Sequence, residues 1–388
     1  MPQYKAYVSD SSYYSGKFEA YLRYKEIAHE RVEININVMR DVVLPATGFM
    51  KVPALECPDG RWLKDTTPMI QWLDRQHPQF PVYPEEPAAR FIALLVEDYA
   101  DEWLWRPAMY YRWAFADSHM FRRHRLGHEL ATGTWHSSWL VGWWFRWRQY
   151  LVFVRGDGVR AHNERHVQAL YRRTLRQLSA LLSTRPFLLG GRPTIVDFAF
   201  FASMFRHFAL DPNPAKVMLD EAPAVFEWVG RVWNARGSDY EGRVLDDFSA
   251  AEWDAVFAGI GGEYLPYLDR NAEAWAAQQK HFDLRLGEAL YPRMPVVRYR
   301  VACRSQLLKA FGALAPADRE RVRQRLSGPI SAWLDSAQPV EAGLDHEFEM
   351  PLARRYPEAR GLYGMRLFFR GTPWDLPSGP VANRPEPK

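Results

Sequence analysis

FMKVPALECPDGRWLKDTTPMIQWLD spans Phe49–Asp74. Ala54–Cys57 is a short, mostly apolar run of strand length, and Pro58-Asp59-Gly60 follows it. Proline presets one turn dihedral, while aspartate and glycine tolerate the rest, so the chain reverses there. Arg61–Lys64 then returns as an antiparallel partner. Asp65-Thr66-Thr67-Pro68 opens a helix, and Pro68 is tolerable because it lies in the first turn. A proline stands at the mouth of one strand, and a carboxylate with two threonines stands at the mouth of the next helix. One reading is that both ends face the same ligand.

Outward from this stretch, Tyr4, Ala6 and Val8 alternate with polar neighbours and predict a first strand. In the helical run KFEAYLRYKEIA, Phe18, Tyr21 and Leu22 share a face. VEININV, Val32–Val38, alternates strictly and predicts a second strand. The order βαβ–ββα makes a small α/β domain over residues 1–80. His77–Pro87 is proline-dense and reads as a linker. Helical spacing dominates from there, giving an all-helical domain at 88–244 and a helical extension at 245–376. Residues 377–388, PSGPVANRPEPK ending included, read as a disordered tail.

The 388 residues allow two or three domains. An aromatic share of 15%, with 16 Trp, points to a dense core or a cavity for flat apolar molecules. Fifty Lys+Arg against 46 Asp+Glu is too even to argue for a nucleic-acid partner. Two cysteines, Cys57 and Cys303, make no disulfide framework, and the N-terminus lacks a secretory pattern, so the expected location is cytoplasmic. The most apolar window, Trp135–Val154, carries Arg146 and Arg148 in its middle. It reads as a buried or interfacial helix, and no stable membrane insertion is expected. His124 and His128 have metal-compatible spacing, but the arginines around them oppose a cation, and no metal is expected.

A βαβ–ββα domain, a proline linker and a helical domain together resemble the glutathione transferase superfamily. KVPALE carries the resemblance first. In that family the Val-Pro bond is cis, and the residue before the proline pairs its backbone with the cysteinyl part of glutathione. Val52 and Pro53 hold those positions here, with Lys51 beside them as a charge for the glycine carboxylate. DTTPMIQWL carries it next, with Asp65 and Thr66 at the helix mouth that receives the γ-glutamyl group. A helix N-terminus suits a carboxylate, and Asp65 suits the ammonium beside it. The bland reading is that Asp65 or Thr66 only caps the helix.

The loop SDSSYYSG is the third place, where the family holds a hydroxyl or thiol that favours the glutathione thiolate. Counting back from Lys17 and Leu22 marks Ser12; Tyr13 and Tyr14 are the alternatives, and Ser11 and Ser15 compete. The family's usual proline after the serine is replaced by Tyr13. FLLGGRPTIVDFAFF resembles the family's second-domain signature, with Thr194–Asp197 as a structural capping box. The resemblance implies a thioredoxin-like α/β domain, then an all-α glutathione-transferase-type domain, here followed by a helical C-terminal extension. It implies glutathione as co-substrate, a homodimer, and thiolate attack on an electrophile. Tyr99, Trp103, Arg106 and Tyr110 form one helical stripe that would wall an aromatic, hydrophobic substrate. Core packing explains the same stripe. KFEAYLR also resembles the metaxin and failed-axon-connections branch, which keeps a non-catalytic binding module as the second reading.

Overall fold

The computed structural model describes residues 3–353 and 355–356. The residues read as a tail, 377–388, lie outside that set. Strand β1 (Tyr4–Val8) leads through helix α1 (Tyr13–Tyr24) to β2 (His29–Glu33), which pairs parallel to β1. Two short helices, α2 (Ile36–Val38) and α3 (Leu44–Thr47), flank a wider helical turn at Met39–Val43. The hairpin of β3 (Ala54–Glu56) and β4 (Trp62–Lys64) then adds antiparallel to β1, so the sheet order is β2-β1-β3-β4. Tyr7 stands opposite Ala54, and Leu55 opposite Leu63. Helix α4 (Thr66–Gln76) follows at once.

The second strand differs from the alternation expected at Val32–Val38. It runs earlier, and the chain turns helical at Ile36. Asn35 explains the difference: its Oδ1 accepts the Val38 N–H at 2.8 Å, a local cap that replaces a sheet bond.

The helical part begins with α5 (Pro87–Glu102) and α6 (Trp105–Ala114). An antiparallel pair follows, α7 (Ala116–Ala131) and α8 (Ser138–Gln149). Beyond it come α9 (Glu164–Leu182), α10 (Ile195–Ser203), α11 (Pro212–Glu221) and α12 (Pro223–Asn234). The capping box at the start of α10 forms as the sequence suggests. Asp197 accepts from the Thr194 N–H at 2.9 Å, from the Leu188 N–H at 2.8 Å and from Trp228 Nε1 at 3.0 Å. This buried carboxylate ties three segments together, a structural role.

The extension holds α13 (Trp253–Gly259), α14 (Leu265–Ala276), α15 (Arg298–Gly312), α16 (Pro316–Arg325) and α17 (Pro329–Ser336). It also holds a two-stranded hairpin, β5 (His281–Leu286) and β6 (Ala289–Pro295), that the helical reading did not include. Phe282, Leu284 and Leu286 are buried on alternate positions, with exposed residues between them. The extension is not a separate body. Its chain returns to the first domain, where the Leu352 N–H donates to the Trp62 carbonyl at 2.8 Å and the Tyr356 N–H to the Pro45 carbonyl at 2.6 Å. The first of these bonds covers the open edge of β4.

Candidate functional site

The first loop is built around Ser12. Its Oγ accepts the Ser15 N–H at 3.2 Å, which caps α1, and donates to the Val52 carbonyl at 3.4 Å. One hydroxyl therefore joins the first loop to the chain entering β3. The Val52–Pro53 bond is cis. Among the described residues the Val52 N–H meets no acceptor. An extended peptide laid along this edge would find a donor waiting.

The two tyrosines of the loop are committed elsewhere. Tyr13 donates to the Ala100 carbonyl at 2.7 Å and Tyr14 to the Asp101 carbonyl at 3.1 Å. Burial first, then the carboxylates of Asp101 and Glu102, hold both phenols well above their ordinary range. Ser11 is buried and its carbonyl accepts from Arg112 Nη1 at 2.6 Å. Ser15 accepts the Ser9 N–H at 3.2 Å. Of the loop hydroxyls, only that of Ser12 bonds to Val52.

Asp65 stands at the mouth of α4 with φ +67°, and its side chain makes no capping bond. A non-glycine residue in that backbone region is uncommon and calls for an account. The carboxylate points instead to the extension: the Tyr299 hydroxyl, on α15, donates to Oδ2 at 2.5 Å. Burial pushes this carboxyl up to about 6, offset in part by the Tyr299 bond and by the charges of Lys51 and Lys17. Thr66 is buried, and Thr67 Oγ1 donates to Glu97 at 3.0 Å. Lys51 is exposed, with its ammonium 5.2 Å from the Phe49 ring centre. Beneath the mouth of α4, Lys17 lies buried between Glu97 at 2.7 Å and Asp101 at 2.5 Å. Burial opposes the charge on Lys17, but the two carboxylates outweigh it and its pKa is raised.

The aromatic stripe meets the extension. Tyr99 lies 5.8 Å from the Tyr264 ring, and Trp103 lies 5.5 Å from Tyr267 while donating to Glu263 at 3.3 Å. The Arg106 guanidinium sits over Trp103, Tyr267 and Tyr291 at 4.4, 5.3 and 5.4 Å. Tyr110 accepts from Gln168 at 3.1 Å. All four side chains are buried. The structure thus brings Ser12, Val52, Asp65 and Lys51 to one end of the sheet and sets Tyr99, Trp103 and Arg106 against the extension, while Tyr110 packs on Gln168 of α9 and on Phe115.

Sequence reasoning missed Tyr299, Arg300 and Glu102, and it weighed Cys303 only as one of two cysteines. Arg300 Nε donates to Glu102 at 2.8 Å, and burial pushes the Cys303 thiol well above its ordinary range. The spacing of Tyr299 and Cys303, one helical turn apart, shows that they share a face of α15 but not what that face meets. Cys57 is buried beside the β3–β4 turn, and burial raises its thiol to about 11. Among the described residues no three His, Cys, Asp or Glu side chains gather to hold a metal ion.

Three carboxyls, Asp197 buried and Asp65 and Asp98 half-buried, share one linkage. Asp65 and Asp197 are pushed up to about 6 and Asp98 to about 7, each mainly by burial. Asp98 accepts from the Tyr264 hydroxyl at 2.5 Å. Unfolded aspartate titrates near 3.9, so the folded chain holds extra protons between about pH 4 and 7. Their stabilising contribution is complete below that window and is lost as pH rises through it. Asp98→Asn keeps the acceptor and cannot ionise. Its urea midpoint is expected to move upward relative to the parent between pH 5 and pH 8; a shift in the opposite direction would show that the ionised Asp98 is the stabilised form.

Two family models match the chain: the N-terminal domain of glutathione S-transferases over residues 7–81 and their C-terminal domain over residues 160–231. No curated protein matches it in sequence. Among solved structures, a glutathione S-transferase from Rhodospirillum rubrum F11 is similar at 19% identity and a TM-score of 0.41, covering 59% of this chain and 87% of that one. The beta-etherase LigF from Sphingobium sp. strain SYK-6 is similar at 16% identity and a TM-score of 0.43, covering 59% and 94%. A glutathione S-transferase from Methylobacillus flagellatus KT, solved with glutathione bound, is similar at 15% identity and a TM-score of 0.36, covering 60% and 99%. The two matched domains fall on the four-stranded sheet with its flanking helices and on the α9–α12 region, so the chain carries the N- and C-terminal domains of the glutathione S-transferases, in the family's order.

Proposed function

We propose that this protein binds glutathione along Val52 and at the mouth of α4, favours its thiolate with Ser12, and delivers it to a hydrophobic, aromatic electrophile. The observation that carries this reading is Val52, whose N–H meets no acceptor among the described residues and whose carbonyl accepts from the Ser12 hydroxyl. A tripeptide on that edge would place its cysteinyl backbone against Val52, its γ-glutamyl carboxylate at the free N–H groups of α4, and its ammonium on Asp65. Lys51 would meet the glycine carboxylate. Ser12 donates to the sulfur by releasing its weak bond to Val52. A thiol near pKa 8.5 is mostly protonated at neutral pH, so each donor aimed at the sulfur raises the reactive fraction.

Holding thiolate and electrophile in contact supplies the remainder of the rate, and the protein need form no covalent bond itself. Tyr99, Trp103, Arg106 and Tyr110 remain the proposed wall for an aromatic ring. Ser12→Ala is expected to cut turnover of an aromatic chloro- or ether electrophile by about a hundredfold while leaving glutathione affinity within a few-fold. Asp65→Ala is expected to lose the affinity itself. Calorimetry and initial rates separate the two effects. Unchanged rates and affinities in both variants would remove the assignment.

A second reading is favoured by one observation, the Tyr299 hydroxyl already seated on Asp65. In that reading the fold is a non-catalytic binding module whose head-group position is filled by its own extension. Glutathione then fails to bind the parent and Tyr299→Phe alike.

A further inference from the structure

Helices α7 and α8 cross at two glycines. A Cβ at Gly127 would lie 2.2 Å from the Ser138 carbonyl, and one at Gly142 would lie 2.4 Å from the Arg123 carbonyl. The two backbones meet directly, so the hairpin presents its outer surface as one firm unit. That surface is unusual in chemistry. Eleven large apolar side chains are exposed among the described residues, and seven lie between Met120 and Leu151. Trp135 is 87% exposed, Leu140 60% and Trp139 58%. Trp139, Trp143 and Trp147 follow at four-residue spacing, and Leu151 extends the same stripe. Tryptophan is the side chain favoured where water meets lipid, because its ring is apolar and its N–H is polar.

A cavity of about 220 Å³ opens within this face, lined by Arg123, His124, His128, Ser138 and Trp139. Arg123 is only 7% exposed. Its guanidinium lies 4.0 Å from the Trp143 ring centre, and Nη2 meets His124 Nε2 at 3.4 Å. Its Nε and Nη1 have no partner among the described residues. Buried guanidinium donors are costly to leave unmet, and oxyanions such as phosphate fit their fork. Charge agrees. Residues 116–155 hold six arginines against two acids, and α8 has no acid at all. Arg122 is spent on Asp211, while Arg125 and Arg155 remain at the surface.

We propose that the α7–α8 hairpin docks this protein on the surface of a bilayer carrying anionic phospholipid, with a lipid phosphate in the Arg123–His124–His128 cavity and the Trp and Leu stripe in the headgroup layer. The contact is peripheral, since no helix among the described residues is long and apolar enough to cross a membrane. A second copy of the chain is a poorer occupant. A two-fold contact through this face would set its arginines against the same arginines of the partner. The proposal does not depend on glutathione binding.

The test is co-sedimentation of the full chain with vesicles of equimolar phosphatidylglycerol and phosphatidylcholine, read also by the blue shift of tryptophan emission. Binding is expected, with at least about tenfold weaker partitioning into pure phosphatidylcholine. Trp139→Ser with Trp147→Ser removes exposed rings and should leave the melting temperature unchanged while lowering partitioning at least about tenfold. Arg123→Gln should weaken binding to the anionic vesicles; should it fail to fold, the exposed His128→Gln reads the same cavity. Equal partitioning by parent and double Trp variant overturns the proposal. So does inorganic phosphate binding without vesicle binding, a parent dimer that the double variant converts to monomer, or retention on RNA with none on vesicles.

Discussion

Tyr299→Phe is expected to bind glutathione about ten- to a hundredfold more tightly than the parent. The Tyr299 hydroxyl donates to Asp65 Oδ2 at 2.5 Å. A bond to a charged acceptor contributes about 1.5–3 kcal/mol, and a ligand that needs the acceptor must displace the donor first. Apparent affinity falls by the fraction of molecules that are open, so removing the competing hydroxyl restores that fraction. The ring remains in Tyr299→Phe and still stacks 5.9 Å from Phe348, so packing changes little. The pH dependence has a fixed sign. The ligand's ammonium needs the ionised carboxylate, and Asp65 titrates near 6, so affinity should weaken as pH falls through that value. Calorimetric titration of both chains at pH 5.5 and 7.5 measures each point. Equal affinities would show that Tyr299 does not compete for the site.

Asp211→Ala is expected to lower stability by about 3–5 kcal/mol, the largest single effect on the fold. Asp211 is fully buried and holds two buried arginines, Arg112 at 2.6 Å and Arg122 at 2.5 Å. Removing the carboxylate leaves the two guanidinium groups bonded to the Ser11 and Arg206 carbonyls and the Ser11 hydroxyl, with Glu129 as a further nearby carboxylate. Burial and the charge of Arg122 push the Arg112 guanidinium down to about 9, offset in part by Asp211. The same cluster reaches the site, because Arg112 Nη1 donates to the Ser11 carbonyl at 2.6 Å. Asp211→Ala should therefore loosen the first loop and reduce glutathione affinity along with stability. Urea denaturation checks the stability; a loss under about 1 kcal/mol would mean that water or a rearranged side chain satisfies the pair.

How much of this could be read from the sequence depends on distance along the chain. The Pro58-Asp59-Gly60 turn, the helix opening at Thr66 and the Thr194–Asp197 box are local devices, and local chemistry decides them. The second strand was misplaced because alternation over Val32–Val38 is a weak signal beside one well-placed side chain, Asn35. The β5–β6 hairpin carries legible alternation at Phe282, Leu284 and Leu286, hidden only by the helices on either side. The stripe of Tyr99, Trp103, Arg106 and Tyr110 keeps a helical period in the sequence, but the structure breaks it into α5, which ends at Glu102, and α6, which starts at Trp105, with Trp103 in the turn between them. Periodicity states that one face is buried, however, and not whether a cleft or an extension buries it. The meeting of Tyr299 with Asp65, 234 positions apart, has no local signature. The partner of a helix face is set by how the whole chain packs.

The crystal structure of Tyr299→Phe grown with glutathione tests the central claim most directly. The account predicts the cysteinyl backbone paired with Val52, the ammonium on Asp65 and the sulfur within hydrogen-bond reach of Ser12. A tripeptide bound elsewhere, or an Asp65 carboxylate still covered by α15 with the Val52 edge empty, would contradict it.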